Sequence, residues 1–147
     1  MTGTSLRRCL VFFLLLAVTA AGCSGQERKR FEESLDHSIE ANEISVGLPD
    51  LQRSSPKEVK EKEKRMLRHI EQSLQAAEGV SIDFLRNLHP DLSAHYQDQF
   101  MKGQRLYMEG IKSDDPMKQL QGNTLVMEWS KFWVANKEHI LKKLNKS

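Results

Sequence analysis

Cysteine is scarce in this chain, with two in 147 residues, at positions 9 and 23. Cys9 belongs to a leader-like N-terminus, so once a leader is removed no intramolecular disulfide can form and the remaining domain must hold together by packing alone. Long apolar runs are also scarce. The only one, Leu10 to Ala21, has Thr19 as its sole polar residue. Crossing ~30 Å of hydrocarbon takes about 20 residues, so this run suits the h-region of a signal peptide and not a transmembrane helix. An excess of one charge sign is missing too. Of 22 Lys and Arg, only Arg7 and Arg8 precede the apolar run, while all 20 Asp and Glu follow it. The part beyond the leader therefore carries no formal net side-chain charge, which excludes a global basic field for nucleic acid.

Motifs that carry chemistry are absent as well. There is no Cys-x-x-Cys-His for covalent haem, no His-Glu-x-x-His for zinc, no Gly-x-Ser-x-Gly elbow and no phosphate-cradling Gly-rich loop. A di-metal bundle uses Glu-x-x-His on paired helices, and none of His37, His69, His89, His95 and His139 has a Glu three residues before it. Glu33 with His37, His37 with Glu40, and Asp91 with His95 are spaced to share helix faces, as chance allows in so charged a chain. No catalytic residue, metal ligand or cofactor is assigned, and no enzymatic activity is expected.

The N-terminus carries the most specific signal. Arg7 and Arg8 form a positive n-region, the apolar run follows, and Ala20-Ala21-Gly22-Cys23 comes next. This resembles the lipobox of bacterial lipoproteins, matched at Ala21, Gly22 and Cys23, with Ala20 where the family most often has Leu. The resemblance covers residues 1–23 and implies cleavage between Gly22 and Cys23, with a lipid attached to the Cys23 sulfur. It further implies permanent residence at the cell envelope. Ser24, in place of the Asp that commonly retains such proteins at the inner membrane, leans towards the periplasmic face of the outer membrane. The expected organisation is a signal peptide over 1–22, a lipidated polar tether over 23–27, and one helical domain over 28–147. Arg28, Lys29 and Arg30 follow the tether, where each could gain on the order of 1 kcal/mol beside anionic headgroups. Glu27, Glu32 and Glu33 partly neutralise them.

Beyond the tether the apolar residues recur at helical spacing, with no run of period two long enough for a strand. Helix one is expected from about Arg28 to Val46, with Phe31, Leu35 and Ile39 on one face, and Gly47 and Pro49 ending it. Helix two begins at Ser55-Pro56, with Glu58 closing a capping box; its stripe is Met66, Leu67, Ile70, Leu74 and Ala77, and Gly79 stops it. Its basic first turns interleave with Glu58, Glu61 and Glu63, giving favourable Glu58–Lys62 and Glu61–Arg65 spacings and a solvated face. A short helix spans Ile82 to Leu88. Pro90 is expected to open a third long helix to about Lys112, with the stripe Leu92, Tyr96, Phe100, Gly103, Tyr107, Ile111. Gly103 and Gly110 each cost ~1 kcal/mol in a helix interior, which close approach of a neighbouring helix would offset.

The last helix, from Pro116 to about Asn145, has two apolar sectors. Leu125, Trp129, Phe132, Trp133, Ile140 and Leu144 form one; Met117, Leu120, Met127, Val134 and Leu141 form the other. Such a helix is buried among several others or binds a partner. Short loops between amphipathic helices make an all-α, antiparallel bundle of about four helices the expected fold. Trp129, Phe132 and Trp133 are the candidate partner surface, against the alternative that they are core; at least one of the two tryptophans is expected to be core. The expected function is a non-enzymatic, lipid-anchored envelope protein acting as accessory, assembly or exclusion-type factor on a protein partner. The alternative is a ligand- or metal-binding helical carrier.

Overall fold

The computed structural model describes residues 5–47 and 55–146, with side chains from residue 25 onward in the first stretch. The loop expected over Leu48 to Ser54 and the Cys23 thiol lie outside what is described. Among the described residues the elements are α1 (Ser5–Val46), α2 (Pro56–Glu78), α3 (Ile82–Leu88), α4 (Leu92–His95), a π-helical segment (Tyr96–Met101), α5 (Lys102–Lys112) and α6 (Pro116–Leu144), with no strand. The chain is an all-α bundle. α4, the π-segment and α5 act as one long helix, so four main helices run alternately up and down.

Several helix ends follow from local chemistry. Ser55 accepts from the Glu58 N–H while Glu58 accepts from the Ser55 N–H at 2.8 Å, a reciprocal capping box ahead of Pro56. That backbone bond, with the Ser55 hydroxyl, holds the Glu58 carboxyl below its ordinary pKa. Ser81 caps α3 through the Phe84 N–H at 3.1 Å. At the α5–α6 turn Asp114 takes φ 52°, a left-handed conformation that Asp tolerates, and Asp115 Oδ1 accepts from the N–H groups of Met117 and Lys118.

Four expectations are corrected. The polar tether is helical, because α1 runs unbroken through it. Its start is held by tertiary bonds: Glu27 Oε1 accepts from the Ser81 N–H at 3.0 Å, and Arg28 donates to the Leu144 carbonyl at 3.1 Å. Pro90 does not open a helix; it sits in a turn, and α4 begins at Leu92. The face of helix one is not Phe31-Leu35-Ile39, since Ile39 is 55% exposed. Steps of four residues drift about 40° each around a helix of 3.6 residues per turn, so the buried line is Phe31, Ser34 and Ala41. Finally, neither Glu58–Lys62 nor Glu61–Arg65 forms an ion pair within 4 Å among the described residues.

Small residues bring the helices of each hairpin together. Across α1 and α2, the Ser73 hydroxyl donates to the Ser34 carbonyl at 2.7 Å. Across α5 and α6, a Cβ added at Gly122 would lie 2.3 Å from the Tyr107 backbone nitrogen, and one at Gly110 2.6 Å from that of Gln119. Gly103 meets the Gly122 carbonyl in the same way, at 3.0 Å. The two hairpins then meet through large side chains. Phe31 packs on Phe84, Tyr96 and Trp133, with ring centroids 5.5 to 6.3 Å apart. The Ser34 hydroxyl donates to the Phe31 carbonyl at 2.7 Å, so in its contact with the Tyr96 hydroxyl it accepts. On the α2–α5 side, Arg105–Glu78 and Lys112–Glu71 pairs close the bundle.

Two outcomes are expected. Gly122→Ala forces α5 and α6 apart and should cost about 1 to 3 kcal/mol or more in thermal melts, as overpacking does. Burial pushes the Tyr96 hydroxyl well above its ordinary pKa, so the folded state favours the neutral phenol. That contribution is fully present below the unfolded value of about 10 and is lost as pH rises beyond it. Melts of the wild type between pH 7 and 11 should therefore fall more steeply above pH 10 than those of Tyr96→Phe, which itself costs about 1 kcal/mol at neutral pH.

Candidate functional site

α1 and α6 run antiparallel, with Arg28 of α1 bonded to the Leu144 carbonyl and to Asn145 at the end of α6, and Asn42 beside Val126 further along. Between the two helices the bundle is open. A groove of about 380 Å³ is floored by Phe100, Trp129, Trp133 and Leu144, with Leu35 and Ile39 on the α1 lip and Val134 and Leu141 on the α6 lip. Glu32 and Asp36 put negative charge on the α1 side. The lips are exposed: Val134 is 68% and Leu141 41% accessible.

The structure separates the three residues of the candidate partner surface. Trp129 is core, 5% exposed, against Tyr96, Phe100 and Trp133. Trp133 is half-buried and stacks on Trp129 at 5.8 Å, presenting its remaining area to the groove. Phe132 turns away from the groove. It stacks on His95 at 3.9 Å and meets His89 edge-on at 5.5 Å. Phe132 and Trp133 are consecutive and so about 100° apart around α6, flanking Trp129 on either side, which sends one towards His95 and the other towards the groove. Tyr107 lies apart from this cluster, beside a small cleft with Met66 and Gln104. Gln104 escaped the sequence reading: it is 4% exposed, and neither carboxamide atom has a protein partner.

The second apolar sector of α6 supplies most of the exposed large hydrophobic side chains among the described residues. Met117, Leu120, Met127, Val134 and Leu141 are all exposed, and the last four recur every seven residues. A seven-residue repeat drifts only ~20° on a straight helix, so these side chains line one stripe of α6, about 10.5 Å apart along it, with the exposed Thr124, Lys131 and Glu138 between them. The α6 seam and the groove meet at Val134 and Leu141.

Of the cations after the presumed tether, two are used by the fold. Arg28 also pairs with Glu32 at 3.0 Å, and Arg30 donates to the Gly79 carbonyl at 3.1 Å across the bare face of that glycine. Lys29 points outward, with a loose contact to Glu33 at 3.6 Å.

The histidines are distributed over two clusters. His89 lies 5.8 Å from His139 ring to ring, beside Phe132. His37 and His69 come together across α1 and α2, with Glu40 one turn beyond His37. The chain was compared with protein-family models, curated proteins and solved structures, and none of them matches.

Truncation should distinguish the two tryptophans. Trp129→Ala should cost about 3 to 5 kcal/mol in thermal or denaturant unfolding, and Trp133→Ala less, because part of its ring faces the open groove. Emission of the wild-type domain should peak at shorter wavelength than free tryptophan in water, and the Trp133→Ala protein, reporting Trp129 alone, should be shifted further.

Proposed function

We propose that this protein is a non-enzymatic, lipid-anchored component of the cell envelope whose helical domain docks an amphipathic helix of a protein partner, as an accessory, assembly or exclusion-type factor. The observation that carries this reading is the exposed seam Leu120, Met127, Val134, Leu141 beside the aromatic-floored groove. Burying a row of apolar side chains that recurs once every seven residues along nearly the whole of α6 suits another helix, whose own side chains can keep that period over the same length. Asp36 on the α1 lip, beside a Glu32 already paired with Arg28, favours a partner with Lys or Arg flanking its apolar face.

Anchoring rests on the lipobox-like Ala21-Gly22-Cys23. Among the described residues no helix is long and apolar enough to cross a membrane, so residence there is assigned to the lipid on Cys23. The Cys23 end of α1 lies against the α2–α3 turn and the end of α6, through Glu27 and Arg28. Anchored in that way, the seam would run from Leu141 near the bilayer outward to Leu120, with Lys29 as the cation freest to meet a headgroup. Ser24 favours the outer membrane where two membranes exist.

Two experiments test this reading. Mass spectrometry of the mature N-terminus should find acyl chains on the wild type and none on Cys23→Ala; an unmodified wild-type N-terminus overturns the anchoring. A photo-crosslinking residue at Val134, used in the native membrane, should capture one discrete protein. Met127→Lys with Leu120→Lys should abolish that capture while moving stability by no more than about 0.5 kcal/mol per site. A crosslink only to a second copy of the chain, or only to lipid, would refute the helix-partner reading.

A further inference from the structure

The geometry points to a divalent transition-metal site, suited to zinc, formed by His37 and Glu40 of α1 with His69 of α2. The His69 Nδ1 lies 2.8 Å from Glu40 Oε2 and 3.4 Å from His37 Nδ1, and His37 Nδ1 lies 3.9 Å from the same carboxylate oxygen. Three atoms at these spacings share a point roughly 2 Å from each, the bond length of zinc to imidazole nitrogen and carboxylate oxygen. Among the described residues this is the one group of three His, Cys, Asp or Glu side chains whose donor atoms converge so closely.

The donor set selects the cation class. Two imidazole nitrogens with one carboxylate suit zinc and its first-row neighbours; calcium and magnesium take oxygen ligands. The metal-free arrangement leaves the site short of protons. Glu40 only accepts, so the 2.8 Å contact requires the proton on His69 Nδ1, and the two Nδ1 atoms facing each other at 3.4 Å share that single donor. A cation at the common point would lie within bonding distance of all three donor atoms. On binding, both rings coordinate through Nδ1 and carry their proton on Nε2, so a neutral His69 shifts its single proton from Nδ1 to Nε2 and releases none to solvent.

The ligands sit on regular helix, with no loop to reorganise. His37 follows Ser34 by three residues and His69 precedes Ser73 by four, so the buried 2.7 Å bond from Ser73 to the Ser34 carbonyl sets the register of the two helices one turn away. The site opens to solvent on the cleft bordered by Glu43, Lys62 and Arg65. Solvent can thus complete the coordination. Sequence spacing pairs only His37 with Glu40 on one helix face; the third ligand comes from 29 residues beyond Glu40, on a helix that local spacing cannot place opposite.

The test uses the full chain in detergent with its thiols alkylated, so that cysteine cannot bind metal. Zinc titration against a chromophoric chelator should give one zinc per chain, and cobalt(II) should give visible bands of a nitrogen- and oxygen-ligated ion. His37→Ala, Glu40→Gln and His69→Ala should each weaken zinc binding by about 10-fold or more, with helical circular dichroism unchanged, while His139→Ala leaves it intact. Nitrogen-15 spectra of the wild-type imidazoles give a readout free of any variant: zinc should shift the Nδ1 signals of His37 and His69 and leave His95 in place. Failure of the wild type to bind one equivalent, binding that survives His37→Ala with His69→Ala, or unmoved Nδ1 signals would each overturn the site.

Discussion

Close backbone approach within each hairpin is the constraint on which the rest of this structure depends. Gly122 against Tyr107, Gly110 against Gln119 and Gly103 against Gly122 let α5 and α6 pack with almost no side chain between them. Ser34 and Ser73 do the same for α1 and α2. With no disulfide available to the domain, these seams set the helix register that a covalent link would otherwise impose. The glycines cost helical stability individually, and the contact they permit offsets it.

Because each hairpin is joined by small residues, the large ones are left for the layer between hairpins. Phe31, Phe84, Tyr96, Phe100, Trp129 and Trp133 form that layer. Its closure is asymmetric. On the α2–α5 side, two ion pairs bridge the helices at 2.8 and 2.6 Å. On the α1–α6 side the rings are too bulky for the flanking helices to meet, and the groove results. The π-segment contributes to this layer as well, since its wider turn buries Tyr96, Phe100 and Met101 together. The open groove and the metal-ligand cluster thus have different origins: the first is where large side chains hold helices apart, the second where small ones draw them together.

The two surfaces are also far apart in chemistry. The α6 stripe presents one exposed apolar side chain every seven residues, whereas the His37–Glu40–His69 cluster is polar and compact. Both lie on long helices whose faces are held by buried contacts, so neither needs a loop to order itself before binding.

Much of the fold was legible residue by residue. Ser55-Pro56 with Glu58, Ser81 before Ile82, and Asp115-Pro116 declare helix starts, because capping groups act within one turn of the chain. The two glycines of α5 announced a close neighbour, and the two sectors of α6 announced a surplus of apolar area. The sequence could not say which sector faced inward, since both have helical periodicity and only competition for the interior decides between them; the wider aromatics of the Trp129 sector took it. Nor could it separate Phe132 from the tryptophans, assign Arg28 and Arg30 to carbonyl contacts, or bring His69 to His37. Those pairings join residues remote in sequence, and local periodicity carries no information about which helix lies opposite. The chain by itself thus determined the all-helical class and the capped helix starts at Pro56, Ile82 and Pro116. Tertiary packing alone decided which apolar face stayed exposed and which polar side chains met, because both depend on the register between helices.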